Sequence, residues 1–134
     1  MSQEKFIQTA ILLLRIVSGY IFILNGGLKL FGWFGGIPGV TELPTLMLIA
    51  GIVEFFGGLA ILLGLFTRPA AFLASGQMAV AYFIAHANQG FWYAPLVNQG
   101  QPAVLLAFIF LFFAAYGAGI WSIDNSFRRK VSPS

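Results

Sequence analysis

The sequence predicts an all-α integral membrane protein, an antiparallel bundle of four transmembrane helices with both termini on the cytoplasmic side. Three observations carry that prediction. Of 134 residues, 59% are apolar and only 8% are charged, with a mean hydropathy of +0.89, whereas a soluble domain carries about 25% charged residues. From Pro69 through Ile123 no residue bears a formal charge, and a run of that length suits lipid as its solvent rather than water. Finally, the cations are placed unevenly, with Lys5, Arg68, Arg128, Arg129 and Lys130 on one predicted side and Lys29 alone on the other. The positive-inside rule assigns the first side to the cytoplasm.

A spanning helix needs about 20 mostly apolar residues. The polar interruptions give spans near 6–30, 44–66, 69–87 and 102–121 in a single domain of 1–134, followed by a basic tail over 122–134. The first span follows Lys5 and resembles the start of a secretory signal. It is too long for an h-region, lacks a small-residue cleavage site and contains Arg15, so it is expected to be retained. The second, third and fourth spans each begin at a proline, Pro44, Pro69 and Pro102. Proline fits the first turn of a helix because its missing N–H has no intrahelical partner there. Glycine- and amide-rich stretches over 32–39, 67–68 and 88–101 read as connectors. Two of them are predicted to face the exterior, and they carry Trp33, Trp92 and Tyr93, residues suited to the lipid–water interface.

Several chemistries are excluded at the outset. The chain has no cysteine, which removes disulfides, thiolate metal sites and cysteine nucleophiles. A single histidine, His86, lacks the companions a metal or haem site requires, so no metal and no covalently bound cofactor are expected. The net charge of +3 is concentrated in the Arg128, Arg129, Lys130 triplet. That pattern marks a membrane flank near anionic lipid rather than a nucleic-acid groove. Neither a phosphate-binding loop nor a dinucleotide, hydrolase or zinc-protease motif occurs.

Charged groups inside spans are costly and must face protein or water. Arg15 and Glu54 each lie about ten residues into their helices, which puts both near the bilayer midplane at 1.5 Å per residue. Pairing them is the simplest way to avoid two lone buried charges. Helical steps from Arg15 reach Ser18, Gly19, Phe22, Asn25, Gly26 and Lys29, and steps from Glu54 reach Ala50, Gly51, Gly57 and Gly58. Small residues let helices approach closely in lipid, so the first two helices are expected to pack through these faces. Two readings of the pair stand: a structural tie that fixes register, or a site for a proton or a ligand head group.

A second polar group gathers toward the exterior: Asn25, Lys29, His86, Asn88, Trp92 and Tyr93. His86 either makes one interfacial hydrogen bond or, with Lys29, lines a pocket for a polar head beside aromatic walls. Gln77, Ser75 and Tyr116 suit interhelical hydrogen bonds. Ala103, Ala107, Ala114, Ala115, Gly117 and Gly119 give the last span small-residue contacts for packing within the bundle or between copies.

Together these segments resemble the DoxX family of small bacterial membrane proteins. The resemblance rests on Leu14-Arg15-Ile16, on the run from Asn25-Gly26-Gly27-Leu28-Lys29 through Gly32-Trp33-Phe34-Gly35-Gly36, on Gly51-Ile52-Val53-Glu54 and on Gly64-Leu65-Phe66-Thr67-Arg68. His86 with Asn88-Gln89-Gly90-Phe91, and Trp121-Ser122-Ile123-Asp124, extend it over nearly the whole chain. It implies a four-helix protein of the bacterial inner membrane, with Arg15, Lys29, Glu54 and His86 at family positions and Asn25 where His or Ser is usual. DoxD-type relatives serve as a membrane subunit of a thiosulfate:quinone oxidoreductase, and some DoxX proteins are associated with thiol and superoxide stress defence.

The leading expectation is therefore a redox-associated accessory protein of the inner membrane that binds a quinone-like ligand between its helices and takes electrons from a soluble or membrane partner. Its ligand-binding residues are expected to be Arg15, Asn25, Lys29, Glu54, Gln77, His86, Trp92 and Tyr93. The alternative is an assembly or interaction subunit, or a small transporter component, whose buried polar residues only specify packing.

Overall fold

The computed structural model describes residues 2–37, 42–87 and 90–131. Asn88 and Gln89, with Pro38 and Gly39 of the first connector, lie outside the described residues, as do the side chains of Arg129 and Lys130. All described secondary structure is helical: α1 (Gln3–Phe31), a 3-10 turn (Trp33–Gly35), α2 (Thr45–Leu63), α3 (Thr67–Ala81) continued by a π-helical turn (Tyr82–His86), a short α4 (Pro95–Asn98), α5 (Gln101–Tyr116) and α6 (Ile123–Val131). Two of these, α1 and α2, are long and apolar enough to cross a membrane.

The helix ends follow from local chemistry and revise the expected bounds. Helix α1 starts earlier than residue 6 because Ser2 Oγ accepts the Lys5 N–H and caps it. It stops at Gly32, which takes the left-handed conformation that favours glycine. Helix α2 stops at Leu63, not 66, because Gly64 adopts the same terminating geometry. The expected loop at Thr67 and Arg68 is instead the first turn of α3. The Asp124 carboxylate accepts the backbone N–H groups of Phe66 and Thr67 at 2.8 and 2.9 Å and caps that helix from a distant segment. At the far end Gly117 closes α5 after Tyr116, so the last long helix is shorter than 102–121. The tail folds into α6, whose first-turn acid is that same Asp124.

The bundle is organised by α1 packing against α2 and α3 against α5, with α2 and α3 adjacent. The first contact is made backbone to backbone. A Cβ added to Gly19 would lie 2.9 Å from the Gly58 carbonyl oxygen, one added to Gly58 would lie 2.8 Å from the Gly19 oxygen, and one on Gly26 would lie 2.4 Å from the Phe55 nitrogen. No side chain fits at these positions, which is the physical content of the small-residue stripe. Elsewhere the core is apolar: Phe22 of α1 meets Phe110 of α5 with ring centroids 4.8 Å apart, among Ile61, Ala71, Ala74, Leu106 and Phe113.

Polarity is distributed in reverse of a water-soluble protein. Gln8, Arg15, Ser18 and Glu54 are buried, while Leu13, Val17, Phe56, Phe72, Leu73, Val80, Leu105 and Phe108 point outward. Such an apolar coat requires an apolar solvent.

Replacing Gly26 by Leu is expected to force α1 from α2 and to cost about 1–3 kcal/mol or more, the usual range for overpacking. Gly76→Ala, where a Cβ meets nothing within 4 Å, is expected to stabilise α3 by about 0.5–1 kcal/mol. Thermal unfolding of the detergent-solubilised variants checks both.

Candidate functional site

The Gly19–Gly58 and Gly26–Phe55 contacts fix the register of two antiparallel helices, and that register decides which buried charges meet. Opposite Glu54 it sets residues near Gly26, about eleven residues from Arg15 and therefore about 16 Å away along the axis. The expected Arg15–Glu54 pair is not formed. Glu54 instead bonds Lys29, whose Nζ lies 2.6 Å from Oε1. Lys29 stands in the last turn of α1, and side chains on a helix lean toward its N-terminus, so the ammonium reaches back toward the middle of α2. The other carboxylate oxygen accepts from Gln77 Nε2 of α3 at 3.0 Å.

This cluster spans three helices. Glu54 lies at the midpoint of α2 and is 1% exposed, while the Lys29 side chain keeps 19% exposure. Both carboxylate oxygens are hydrogen-bonded, yet Gln77 Oε1 is buried and finds no donor among the described residues. Phe31, Trp33 and Phe55 form an aromatic group with centroids 5.2 to 5.9 Å apart, Phe55 meeting the other two rings edge to face. Gly27 makes room for it, since a Cβ there would fall within 2 Å of the Trp33 ring.

Arg15 has a different task. Its guanidinium donates to the carbonyl oxygens of Ala118 at 2.6 Å, Trp121 at 3.0 Å and Leu62 at 3.4 Å. Leu62 belongs to the last turn of α2, and Ala118 and Trp121 to the segment after α5. The cation thus satisfies carbonyls left unpaired where helices end, the position where backbone dipoles favour positive charge. The planar fork reaches three acceptors at once, which an ammonium cannot do with the same geometry. Gln8 supports the same segment by accepting the Ile120 N–H and donating to the Tyr116 hydroxyl.

Toward the opposite end a third cluster forms around Asn98, which is buried. Its amide donates to the Tyr82 hydroxyl and to the Phe91 carbonyl, and its Oδ1 accepts from Gly100 N–H. The Tyr82 hydroxyl also donates to the Trp92 carbonyl. His86 Nδ1 lies 3.2 Å from the Asn98 carbonyl oxygen, and the ring stacks on Tyr82. Both aromatic residues sit on a π-helical turn, a distortion frequent at functional sites.

Of the eight predicted site residues, the structure brings together Lys29, Glu54 and Gln77. Arg15 is at the other end of the α1–α2 contact. Asn25 is exposed and bonds back to the Ile21 carbonyl of its own helix. Trp92 and Tyr93 are exposed, with the Trp92 backbone rather than its indole used in the third cluster, and His86 belongs to that cluster too. Ser75 and Tyr116 make the expected interhelical bonds, to the Ala107 carbonyl and to Gln8. Asn98 and Gln8 escaped sequence reasoning, and Asp124 entered it only as part of the family resemblance. Their importance comes largely from backbone groups brought to them by folding, which no pattern of residue types marks. Among the described residues no group of three or more His, Asp or Glu side chains is arranged to hold a metal.

Removing one member of a buried ion pair leaves the other uncompensated, at about 3–5 kcal/mol. Lys29→Met, which strands the fully buried carboxylate, is expected to destabilise more than Glu54→Gln, after which the partly exposed Lys29 can turn outward. The double variant is expected to cost well below the sum. A double-mutant cycle read by unfolding in detergent tests this ordering.

The comparisons with known proteins also point to a membrane protein. The chain is 40% identical over 132 residues to an uncharacterized protein of Haemophilus influenzae, covering 95% of this chain and 97% of the relative. It is 32% identical over 137 residues to the inner membrane protein YqjF of Escherichia coli, covering 95% and 98%. Against the uncharacterized membrane protein Rv3486 of Mycobacterium tuberculosis it is 28% identical over 142 residues, covering 92% and 84%. No solved structure matches the chain. The DoxX family model matches residues 10–87, the stretch that contains the glycine contacts, the Lys29–Glu54–Gln77 cluster and His86. On the strength of that match and of relatives aligned along nearly their full length, this membrane protein belongs to the DoxX family.

Proposed function

We propose that the chain is a four-span protein of the bacterial inner membrane, with both termini cytoplasmic, that binds a membrane-soluble ligand with a polar ring head, of the quinone class, at Lys29, Glu54 and Gln77. The observation that carries the reading is the state of Gln77: a buried side-chain oxygen without a donor among the described residues, in a cluster with a partly exposed lysine side chain and a carboxylate halfway along α2. Intramembrane ionisable groups mark functional sites by default. A carbonyl on the ligand accepts from Lys29, and a hydroxyl on its reduced form donates to Gln77 Oε1. The aromatic group of Phe31, Trp33 and Phe55 supplies an apolar wall suited to a ring. The chain has no cysteine, so electrons in this reading come from a partner, and the protein acts as an accessory subunit.

Length supports a third span beside α1 and α2, and apolar composition supports a fourth. Helix α3 with its π turn runs over 67–86, about 30 Å at helical rise, and α5 adds a shorter apolar helix. Lys5, Arg68 and Arg128 near one end, against Lys29 toward the other, support the orientation.

A specific observation favours a second reading, that of an assembly or interaction subunit or a small transporter component. Both Glu54 oxygens already have partners within the chain, which is what a purely structural tie requires.

Native mass spectrometry of protein released from its own membrane separates the two. The expected result is one quinone-class ligand per chain in the parent, lost in Glu54→Gln and in Gln77→Leu. A parent without ligand, with variants that are merely less stable, overturns the leading reading in favour of the second. Orientation is tested by introducing single cysteines into this cysteine-free chain. Tyr93→Cys is expected to react with an impermeant maleimide on intact spheroplasts and Ser126→Cys only after permeabilisation; the reverse pattern overturns the topology.

A further inference from the structure

At the end of the bundle where α1 begins and α6 lies, a cavity of about 530 Å³ opens among Gln8, Thr67, Arg68, Tyr116, Asn125 and Arg128. Its size is within the range of small-molecule sites, about 300–1,000 Å³. We propose that it is a headgroup site for an anionic phospholipid, with the phosphodiester held by Arg68 and Arg128.

The charge arrangement is the first support. Neither Arg68 nor Arg128 has a hydrogen-bonding or ion-pair partner among the described residues, although both line the cavity. Asp124 lines it too, but its two carboxylate oxygens are committed to the Phe66 and Thr67 N–H groups. Two free guanidinium groups beside a carboxylate already balanced by a helix N-terminus leave the cavity net positive. Guanidinium matches phosphate oxygens bidentately.

An unmet hydrogen-bonding group is the second. Thr67 is 1% exposed and its Oγ1 has no partner among the described residues. The Tyr116 hydroxyl accepts from Gln8 Nε2 at 2.8 Å, so its own proton remains available to donate. These groups suit phosphodiester and glycerol oxygens.

The third support distinguishes a lipid from a soluble phosphate. Phe66 and Phe127 line the same cavity and are strongly exposed, at 68% and 54%. Phe66 is held in the left-handed backbone region, with φ of 49°, an uncommon conformation for a bulky residue. Asp124 fixes it there through the Phe66 N–H. A polar cavity flanked by two outward phenyl rings fits an amphiphile, with the head inside and the chains along the apolar coat of the bundle. This inference uses the membrane setting and is independent of any ligand at Lys29, Glu54 and Gln77.

The test is native mass spectrometry of the full chain in detergent with palmitoyl-oleoyl phosphatidylglycerol or phosphatidylcholine as probe. One phosphatidylglycerol per chain is expected to be retained about tenfold better than phosphatidylcholine, and Arg68→Gln with Arg128→Gln is expected to abolish that preference. Thr67→Val, which keeps every charge, is expected to weaken retention of both lipids. Lys5→Gln removes a cation from the same end outside the cavity and is expected to change nothing. Equal retention of the two lipids by the parent overturns the proposal, as does a loss in Lys5→Gln equal to that in the arginine variants, which would mean diffuse surface attraction. Displacement of the lipid by millimolar inorganic phosphate would assign the cavity to a soluble anion and overturn the lipid.

Discussion

The close approach of α1 and α2 is the constraint on which the rest of the molecule depends. At Gly19, Gly58 and Gly26 the backbones touch with no space for a Cβ, and a contact of that kind has one register. Within it Lys29 meets Glu54, and the Arg15 guanidinium arrives where α2 ends. In lipid there is no hydrophobic drive to bring helices together. Close packing of small residues and the satisfaction of buried polar groups have to do so, and both happen along the same seam.

Three polar clusters then divide the length of the bundle. Near one end Arg15, Gln8 and Asp124 hold the segment between α5 and α6 by bonding its backbone and the first turn of α3. At mid-length Glu54 ties α1 to α3 across α2. Toward the other end Asn98 gathers Tyr82, Phe91 and Gly100. The first two clusters join parts of the chain distant in sequence and the third closes the 82–100 stretch on itself, so the polar interior supplies specificity where the apolar surface supplies only solubility in lipid.

Much of this was legible in the sequence. Composition alone required an apolar solvent, and the glycine and proline positions placed the helices to within a few residues. The stripe from Ser18 and Gly19 to Gly26 and Lys29 did become the contact with α2. The expected Arg15–Glu54 pair is not formed, because depth along a span does not fix its register against a neighbour. The caps at Ser2 and Gly64 move the helix ends by only three residues each. Arg15 and Glu54 are about 16 Å apart along the axis because the Gly19–Gly58 and Gly26–Phe55 contacts set Glu54 opposite the C-terminal part of α1. Gln77 was expected to bond between helices, but its partner could not be named until α3 had a rotation relative to α2.

By itself the sequence determined the solvent, the helical class and the face on which α1 meets α2, because each follows from local composition and a period of 3.6 residues, while the family followed from particular motifs. Tertiary structure alone decided which charge neutralises which, that a guanidinium caps helix ends rather than pairing with a carboxylate, and that the basic tail folds over a cavity. Those outcomes depend on axial register and on backbone carbonyls and N–H groups. Every residue has those groups, so no pattern of residue types marks the ones left for a side chain to satisfy.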